Sequence, residues 1–163
     1  MLHERVYNRE KAVAYAKKWA LSRNPAYYNF EYFGGDCTNF ASQCLYAGSG
    51  VMNYRPDIGW YYRNPSDRAP AWSGVRFLYE FLINNKSVGP YALAVEQSKA
   101  EIGDLVQLGN ADGVFYHTPV IISTDGGEIL VAAHTFDAIN KPLSEYSYYQ
   151  ARFLHIKGVR SYT

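Results

Sequence analysis

The sequence contains little cysteine, with only Cys37 and Cys44 in its 163 residues. Both lie in a segment whose pattern predicts one helix, and a separation of seven residues there places the two Cα atoms about 10 Å apart. A disulfide needs Cα atoms about 4.4–6.8 Å apart. We therefore expect two free thiols rather than a disulfide framework.

Charged residues are also scarce, at 19% of the chain, and their signs nearly balance. Sixteen Lys and Arg residues against fifteen Asp and Glu residues leave a formal net charge of +1. A charge this small produces no field that would attract phosphate backbones or anionic lipids. We expect neither nucleic acid nor a membrane as a partner.

Long hydrophobic runs are missing as well. The most apolar stretch, residues 114–122, contains His117 and Thr118 and is far shorter than the ~20 residues of a membrane-spanning helix. Residues 1–20 lack the apolar segment of a signal peptide. The expectation is a cytoplasmic protein, or one of the cell envelope if a leader is missing from this chain.

Aromatic residues, in contrast, are abundant, with 16 Tyr, 8 Phe and 3 Trp. Tyrosines in this number suit strand surfaces and polar clefts. The length fits one domain over residues 1–163, which we expect to be a monomer.

The apolar periodicity changes from helical to strand-like along the chain, which predicts an α+β fold. Expected helices run from Asn8 to about Arg23, from Cys37 (with Asp36 as N-cap and Gly48 as C-terminal stop), and from Ser73 to Asn84. Residues 49–71 are expected to be a long surface excursion. The expected strands are residues 105–108, 115–123, 128–136 and 151–157.

Cys37 is the candidate nucleophile because it begins a helix. Unpaired N–H groups and the helix dipole at that position stabilise a thiolate, so we expect the pKa of Cys37 to be lowered. Gly34 and Gly35 open the backbone for close approach by a ligand. Cys44 lies inside the apolar stripe of the same helix and is expected to be a core residue.

A base for Cys37 is predicted from the hairpin that contains His117 and His134. If Asp125-Gly126 forms a two-residue turn, the two imidazoles face each other across the strands. If the turn is Gly126-Gly127, His117 faces Phe136, still on the same face.

These residues fill the three roles of a catalytic triad, with Cys37 as nucleophile, His117 as base and His134 orienting the base. Asp137 and Asn140 are alternatives for the third role. The backbone N–H of Cys37 is a candidate oxyanion donor. A second donor is expected in the segment before Cys37, where the candidates for the oxyanion site and cleft are Tyr28, Asn29, Tyr32 and Asp36.

The combination of "DCTNFASQCLYAGSG", "IGDLVQL", "YHTPVIIS" and "VAAHTFDAINKPLSEY" resembles the putative amidase domain family of bacteria, which is related to the NlpC-type and CHAP papain-like cysteine peptidases. The resemblance implies a papain-like fold in which N-terminal helices pack on a small antiparallel sheet. It implies that Cys37 and His117 form the catalytic pair, whereas the third residue varies among such families. It also implies cleavage of amide bonds in peptidoglycan or other peptides, without a cofactor.

The resemblance draws attention to the aromatic residues of the 51–71 loop and its end. Trp60, Tyr61, Tyr62 and Trp72 are expected either to line the substrate cleft or to cover the helix pair.

Two other functions are consistent with the same residues. One thiolate and two imidazoles could bind zinc, as in some catalytic zinc proteins. The cleft could instead belong to a non-catalytic module that binds a peptide or glycan, with an inert thiol. The preferred prediction is a cysteine amidase or peptidase without a metal.

Overall fold

The computed structural model of this protein describes residues 1–162, which form a mixed α and β structure. The helices are α1 (Arg9–Trp19), α2 (Cys37–Ser49), α3 (Pro70–Ser73) and α4 (Val75–Asn84). The strands are β1 (His3–Arg5), β2 (Tyr62–Asn64), β3 (Asp67–Arg68), β4 (Gly89–Val95), β5 (Leu105–Gly109), β6 (Phe115–His117), β7 (Val120–Ser123), β8 (Leu130–Ala133), β9 (Ala138–Pro142) and β10 (Gln150–Ser161). Single 3₁₀ turns span Gln97–Lys99, Asp125–Gly127 and Leu143–Glu145.

An antiparallel sheet of eight strands forms the main layer. Its order is β1-β10-β5-β7-β8-β9, with β4 also paired to β10 and β6 also paired to β5. A separate hairpin joins β2 to β3. The helices and antiparallel sheet expected from the sequence are present, but the sheet is larger than the small one expected.

The core lies between the first two helices and the sheet. Small side chains on α1, such as Ala12 and Ala16, let α2 approach closely, and both are fully buried. Phe40, Cys44 and Leu45 of α2 are also fully buried in the same cluster. The prediction that Cys44 is a core residue is confirmed.

The C-terminal ends predicted for the first two helices are wrong. α1 ends at Trp19, where the chain turns with the Ser22 N–H donating to the Trp19 carbonyl oxygen at 3.2 Å. Arg23 binds Glu31 and Asp137 outside the helix. Gly48 lies within α2, where a Cβ would come within 2.8 Å of the Asn8 carbonyl oxygen. The helix ends at Ser49 and is capped by Gly50, whose φ of 72° is the left-handed conformation that glycine adopts easily.

The predicted third helix and the excursion before it also differ from expectation. Gly74 adopts an extended conformation, with φ −112° and ψ 126°, and separates α3 from α4. The 49–71 segment includes the β2–β3 hairpin and buries Trp60 completely. It therefore contributes to the core rather than only to the surface.

The predicted strands are correct in position but not in extent. The strand expected over residues 115–123 is divided at Thr118-Pro119, where β6 and β7 both pair with β5. The strand expected over residues 128–136 is limited to β8. β1, β4 and β9 were not predicted, and β10 is longer than residues 151–157.

Candidate active site

Cys37 is the first residue of α2, and its side chain is 8% exposed. The Cys37 sulfur lies 3.7 Å from the Thr38 hydroxyl oxygen. The Thr38 and Thr118 hydroxyl oxygens lie 3.1 Å apart. These contacts hold the start of α2 against the chain that directly follows His117.

His117 is the last residue of β6 and pairs with Leu108 in the sheet. Its side chain is 8% exposed, and its ring centroid lies 5.6 Å from that of Tyr146. Within residues 1–162, neither ring nitrogen has a hydrogen-bond partner. The imidazole is therefore held by packing, and its nitrogens are free to exchange a proton.

His134 faces a different set of partners. Its Nδ1 lies 2.5 Å from Asp36 Oδ2, and its Nε2 donates to the Trp19 carbonyl oxygen at 2.8 Å. Both partners are acceptors, which matches the two N–H groups of an imidazolium. With both nitrogens occupied, His134 does not orient His117 in this structure.

The predicted pairing of His117 with His134 is wrong because the hairpin has a different register. Val120 pairs with Ala132 and Ile121 with Val131, one residue away from the register of a two-residue Asp125-Gly126 turn. The loop instead contains a 3₁₀ turn with Gly126 at φ 66°. A shift of one residue reverses the face to which each side chain points.

Asp36 joins the segments on either side of Cys37. Its Oδ1 accepts hydrogen bonds from the Phe30 N–H and the Asn39 amide, both at 2.8 Å. Its Oδ2 contacts His134 and lies 3.3 Å from Arg23 Nε. Burial opposes ionisation, but hydrogen bonds from His134, Asn39 and Phe30 outweigh it and lower the pKa of Asp36.

Asp36 therefore differs from its predicted roles. It occupies the N-cap position, but its side chain makes no capping bond to α2. Its carboxylate is fully buried, and an anion cannot stabilise an oxyanion. It is a structural link between α2, the 26–35 loop and β8.

The alternatives for the third catalytic role do not contact His117. Asp137 is bound by Arg23 at 2.7 and 3.0 Å. Asn140 is exposed and has φ 53°, at an irregularity between β8 and β9. No predicted orienting residue is therefore beside the imidazole of His117.

Of the oxyanion donors predicted in the 26–35 loop, Asn29 and Tyr28 have local contacts and Tyr32 is exposed. Asn29 Oδ1 accepts from the Glu31 N–H at 2.9 Å and closes a local turn. Tyr28 packs edge-on against Phe30, and Tyr32 is 87% exposed. None of the three side chains hydrogen-bonds to Cys37.

The tryptophans expected at the cleft are core residues. Trp60 donates to the Ser42 hydroxyl at 3.0 Å, and Trp72 donates to the Asn39 amide oxygen at 2.9 Å. Both indoles are fully buried, so the cleft role predicted for them is wrong and the alternative, covering the helices, is correct. Tyr61 and Tyr62 are each 9% exposed, and the Tyr61 hydroxyl contacts Asp67.

Tyr146 and Lys141 adjoin this site but were not predicted from the sequence. The Tyr146 hydroxyl is buried without a hydrogen-bond partner among the described residues. The Lys141 ammonium lies 4.1 Å from the centroid of the Tyr146 ring. Both residues lie in the stretch "VAAHTFDAINKPLSEY" that carries the family resemblance, but the resemblance assigned neither of them a role. The position of β9 and the turn after it bring them beside His117.

The pKa directions differ from the one expected for Cys37. Burial raises the pKa of the Cys37 thiol, although hydrogen bonds from Thr38 and Thr118 oppose it. Burial, with a contribution from Lys141, lowers the pKa of His117 to about 4. The prediction of a lowered cysteine pKa is wrong, and the pair rests as a neutral thiol and a neutral imidazole.

The described residues do not support a zinc site. Within residues 1–162, no group of three His, Cys, Asp or Glu side chains is arranged to hold a metal ion. Because His134 binds Asp36 rather than facing His117, the proposed Cys37–His117–His134 ligand set is not assembled.

Over residues 1–162, no helix combines the length and apolar character needed to cross a bilayer.

Comparison with known proteins identifies the family. The profile described as "Putative amidase domain" matches residues 6–157. The chain belongs to the putative amidase domain family. This confirms the resemblance at the level of the family and supports an amidase or hydrolase classification, while the wider papain-like relation stays a prediction.

Two proteins of Bacillus subtilis (strain 168) are similar to this amidase-family chain. "Uncharacterized protein YhbB" is 36% identical over 137 residues, covering 81% of this chain and 42% of the relative. "Uncharacterized protein YjcM" is 26% identical over 145 residues, covering 83% of this chain and 32% of the relative. The chain thus spans less than half the length of either relative. No solved structure matches it significantly.

Proposed function

We propose that this domain is a cysteine-dependent amidase or peptidase in which Cys37 is the nucleophile and His117 the base. The observation that carries the proposal is the 3.1 Å contact between the hydroxyls of Thr38 and Thr118, which directly follow Cys37 and His117 in the chain. Membership of a family described as amidase supports the type of bond.

The neutral resting pair defines the order of proton transfers. The imidazole of His117 takes the thiol proton as the Cys37 sulfur bonds to the amide carbon. The resulting imidazolium then protonates the leaving nitrogen, the C–N bond breaks and a thioester remains. Water, deprotonated by His117, hydrolyses the thioester and returns the thiol.

Two groups are available for the oxyanion. The backbone N–H of Cys37 has no acceptor among residues 1–162, because it lies in the first turn of α2 and Asp36 makes no capping bond. The Tyr146 hydroxyl is a buried donor without a partner, and its pKa is raised by burial and also by Cys37. We propose that both donate to the tetrahedral intermediate.

Several exposed aromatic residues are close in sequence to the residues of the proposed site. Phe136 follows Thr135, whose hydroxyl accepts from the Asp36 N–H at 2.9 Å. Thr135 and Phe136 both have φ 58°, a strained conformation that often marks functional positions. Exposed aromatics close in sequence to Cys37, His117, His134 or Tyr146 are Tyr32, Phe33, Tyr116, Phe136, Tyr148 and Tyr149. Exposed aromatic rings suit contact with an extended peptide or a glycan-linked peptide, including peptidoglycan.

The direct test is digestion of purified peptidoglycan and of a peptide library, with new termini identified by mass spectrometry. We expect cleavage by the wild type, none by Cys37→Ala, and near-wild-type cleavage by Cys44→Ala. Equal cleavage by wild type and Cys37→Ala would refute the proposal.

A second candidate is a non-catalytic peptide- or glycan-binding module, favoured by the raised pKa of the buried thiol. Slow alkylation at pH 6 fits both candidates, since the proposed enzyme also rests with a neutral thiol. Ligand binding without new termini in any digest would support the module and exclude the enzyme.

A further inference from the structure

The cation of Lys141 lies beside the proposed active site without an acidic partner. Its ammonium rests over the Tyr146 ring at 4.1 Å, and that ring contacts His117. Lys141 is half-buried and forms no ion pair with any carboxylate of residues 1–162. A lysine in this position is available to a charged ligand.

Without a bound anion, the ammonium of Lys141 opposes the step of the proposed reaction in which His117 is protonated. His117 must become an imidazolium during catalysis, and the nearby ammonium disfavours that second positive charge. A carboxylate bound to Lys141 would offset the repulsion when the proton moves to His117. Aromatic contact alone does not provide this compensation.

The fold keeps Lys141 in place. It pairs with Val131 in the β8–β9 ladder, and the 3₁₀ turn Leu143–Glu145 leads directly to Tyr146. The Tyr146 N–H bonds to the Leu143 carbonyl oxygen at 3.1 Å. The cation and the unpartnered hydroxyl are therefore presented by one short, hydrogen-bonded segment.

We propose that Lys141 forms a carboxylate subsite, so that the substrate is an acidic peptide whose carboxylate lies close to the bond that is cleaved. The inference rests on the proposed function and names its substrate class. The amide carbonyl would approach Cys37 while the carboxylate pairs with Lys141.

The test compares two alkylating agents of nearly equal size, iodoacetate and iodoacetamide, at pH 8 in the folded protein. Both form a bond between the Cys37 sulfur and carbon with loss of iodide, but only iodoacetate carries a carboxylate. The measured quantity is the ratio of their rates at Cys37, relative to the same ratio for N-acetylcysteine. Neither reagent requires turnover.

We expect iodoacetate to be favoured at Cys37 by about tenfold over the reference thiol, the size of effect that one nearby opposite charge can supply. Lys141→Met should abolish the preference and Lys141→Arg should retain it. Lys157→Met, which alters an exposed lysine of β10, is the matched control and should change nothing.

A ratio equal to that of N-acetylcysteine, an unchanged ratio in Lys141→Met, or failure of both reagents to label Cys37 would each overturn the subsite. A preference for iodoacetate without hydrolysis of any peptide would retain the subsite and refute the enzyme. Pairs of peptides that are identical except for Glu or Gln at one position extend the test. The wild type should prefer Glu, and Lys141→Met should lose that preference.

Discussion

At the scale of single residues, the site combines two neutral groups rather than a preformed ion pair. Burial disfavours both the thiolate of Cys37 and the imidazolium of His117. Charge separation would then occur during the attack on substrate, where the oxyanion donors and a substrate carboxylate can act.

The Tyr146 hydroxyl provides a test at this scale. Replacing Tyr146 with Phe should lower kcat by about 10²–10³-fold, the usual effect of losing one oxyanion donor, with little change in KM. Folding stability should be unchanged or slightly higher, because the lost hydroxyl is buried without a partner. Steady-state kinetics and urea unfolding measure the two effects, with Tyr149→Phe, an exposed tyrosine, as the control. An unchanged kcat would remove Tyr146 from the mechanism.

At the scale of elements, the junction between α2 and β8 depends on Asp36. Asp36→Ala should cost about 3–5 kcal/mol of unfolding free energy, because it leaves His134 and Arg23 without their buried counterion. The matched variant Asp137→Ala removes a more exposed carboxylate from the same Arg23 and should cost at most about 1 kcal/mol. Chemical denaturation gives both values. Equal losses would show that burial of the Asp36 contacts contributes nothing.

The close approach of α1 and α2 at Gly48 gives a second element-scale prediction. In an ordinary helix interior, Gly to Ala stabilises by about 0.5–1 kcal/mol. Here the added methyl would meet the Tyr7 ring and the Asn8 backbone, so Gly48→Ala should destabilise by about 1–3 kcal/mol. Ala47→Gly, one residue earlier, should cost only the helix-propensity difference of about 1 kcal/mol. A more stable Gly48→Ala protein would contradict the packing.

The start of α2 and the β-rich second half were predictable because their signals are local. Asp36-Cys37 before an apolar stripe indicates a helix start, and short apolar runs bounded by turn residues indicate β5, β7 and β8. The partner of His134 was not predictable in the same way. It depends on a one-residue register difference and on Asp36, which is distant in sequence, and no local pattern encodes either.

At the scale of the whole molecule, buried His117 should make stability depend on pH. Its pKa is about 4 when folded and 6.5 in the reference state, so the unfolded chain binds the proton more readily between these values. Stability is therefore full above pH 6.5 and falls as the pH drops towards 4, by about 3 kcal/mol from this group. Urea unfolding at pH 7 and pH 4 measures the change. His117→Gln should show a correspondingly smaller loss, and an identical loss in both proteins would contradict the assignment.

The fold class was predicted from the sequence, but the number and length of the strands were not. The order of helices followed by strands indicated α+β, whereas β4 begins with Gly89-Pro90 and lacks the usual strand signature. Lys141 and Tyr146 come to the site because β9 adds to the far edge of the sheet. Long-range strand order, rather than any motif, determines that neighbourhood.

The most direct measurement is the covalent intermediate itself. Digests of the peptide library are quenched in acid, and the intact protein is analysed by mass spectrometry and peptide mapping. The account predicts acyl groups on Cys37 in the wild type and in Cys44→Ala, and none in Cys37→Ala. Peptide cleavage that continues in Cys37→Ala, or an acyl group mapped to another residue, would contradict it.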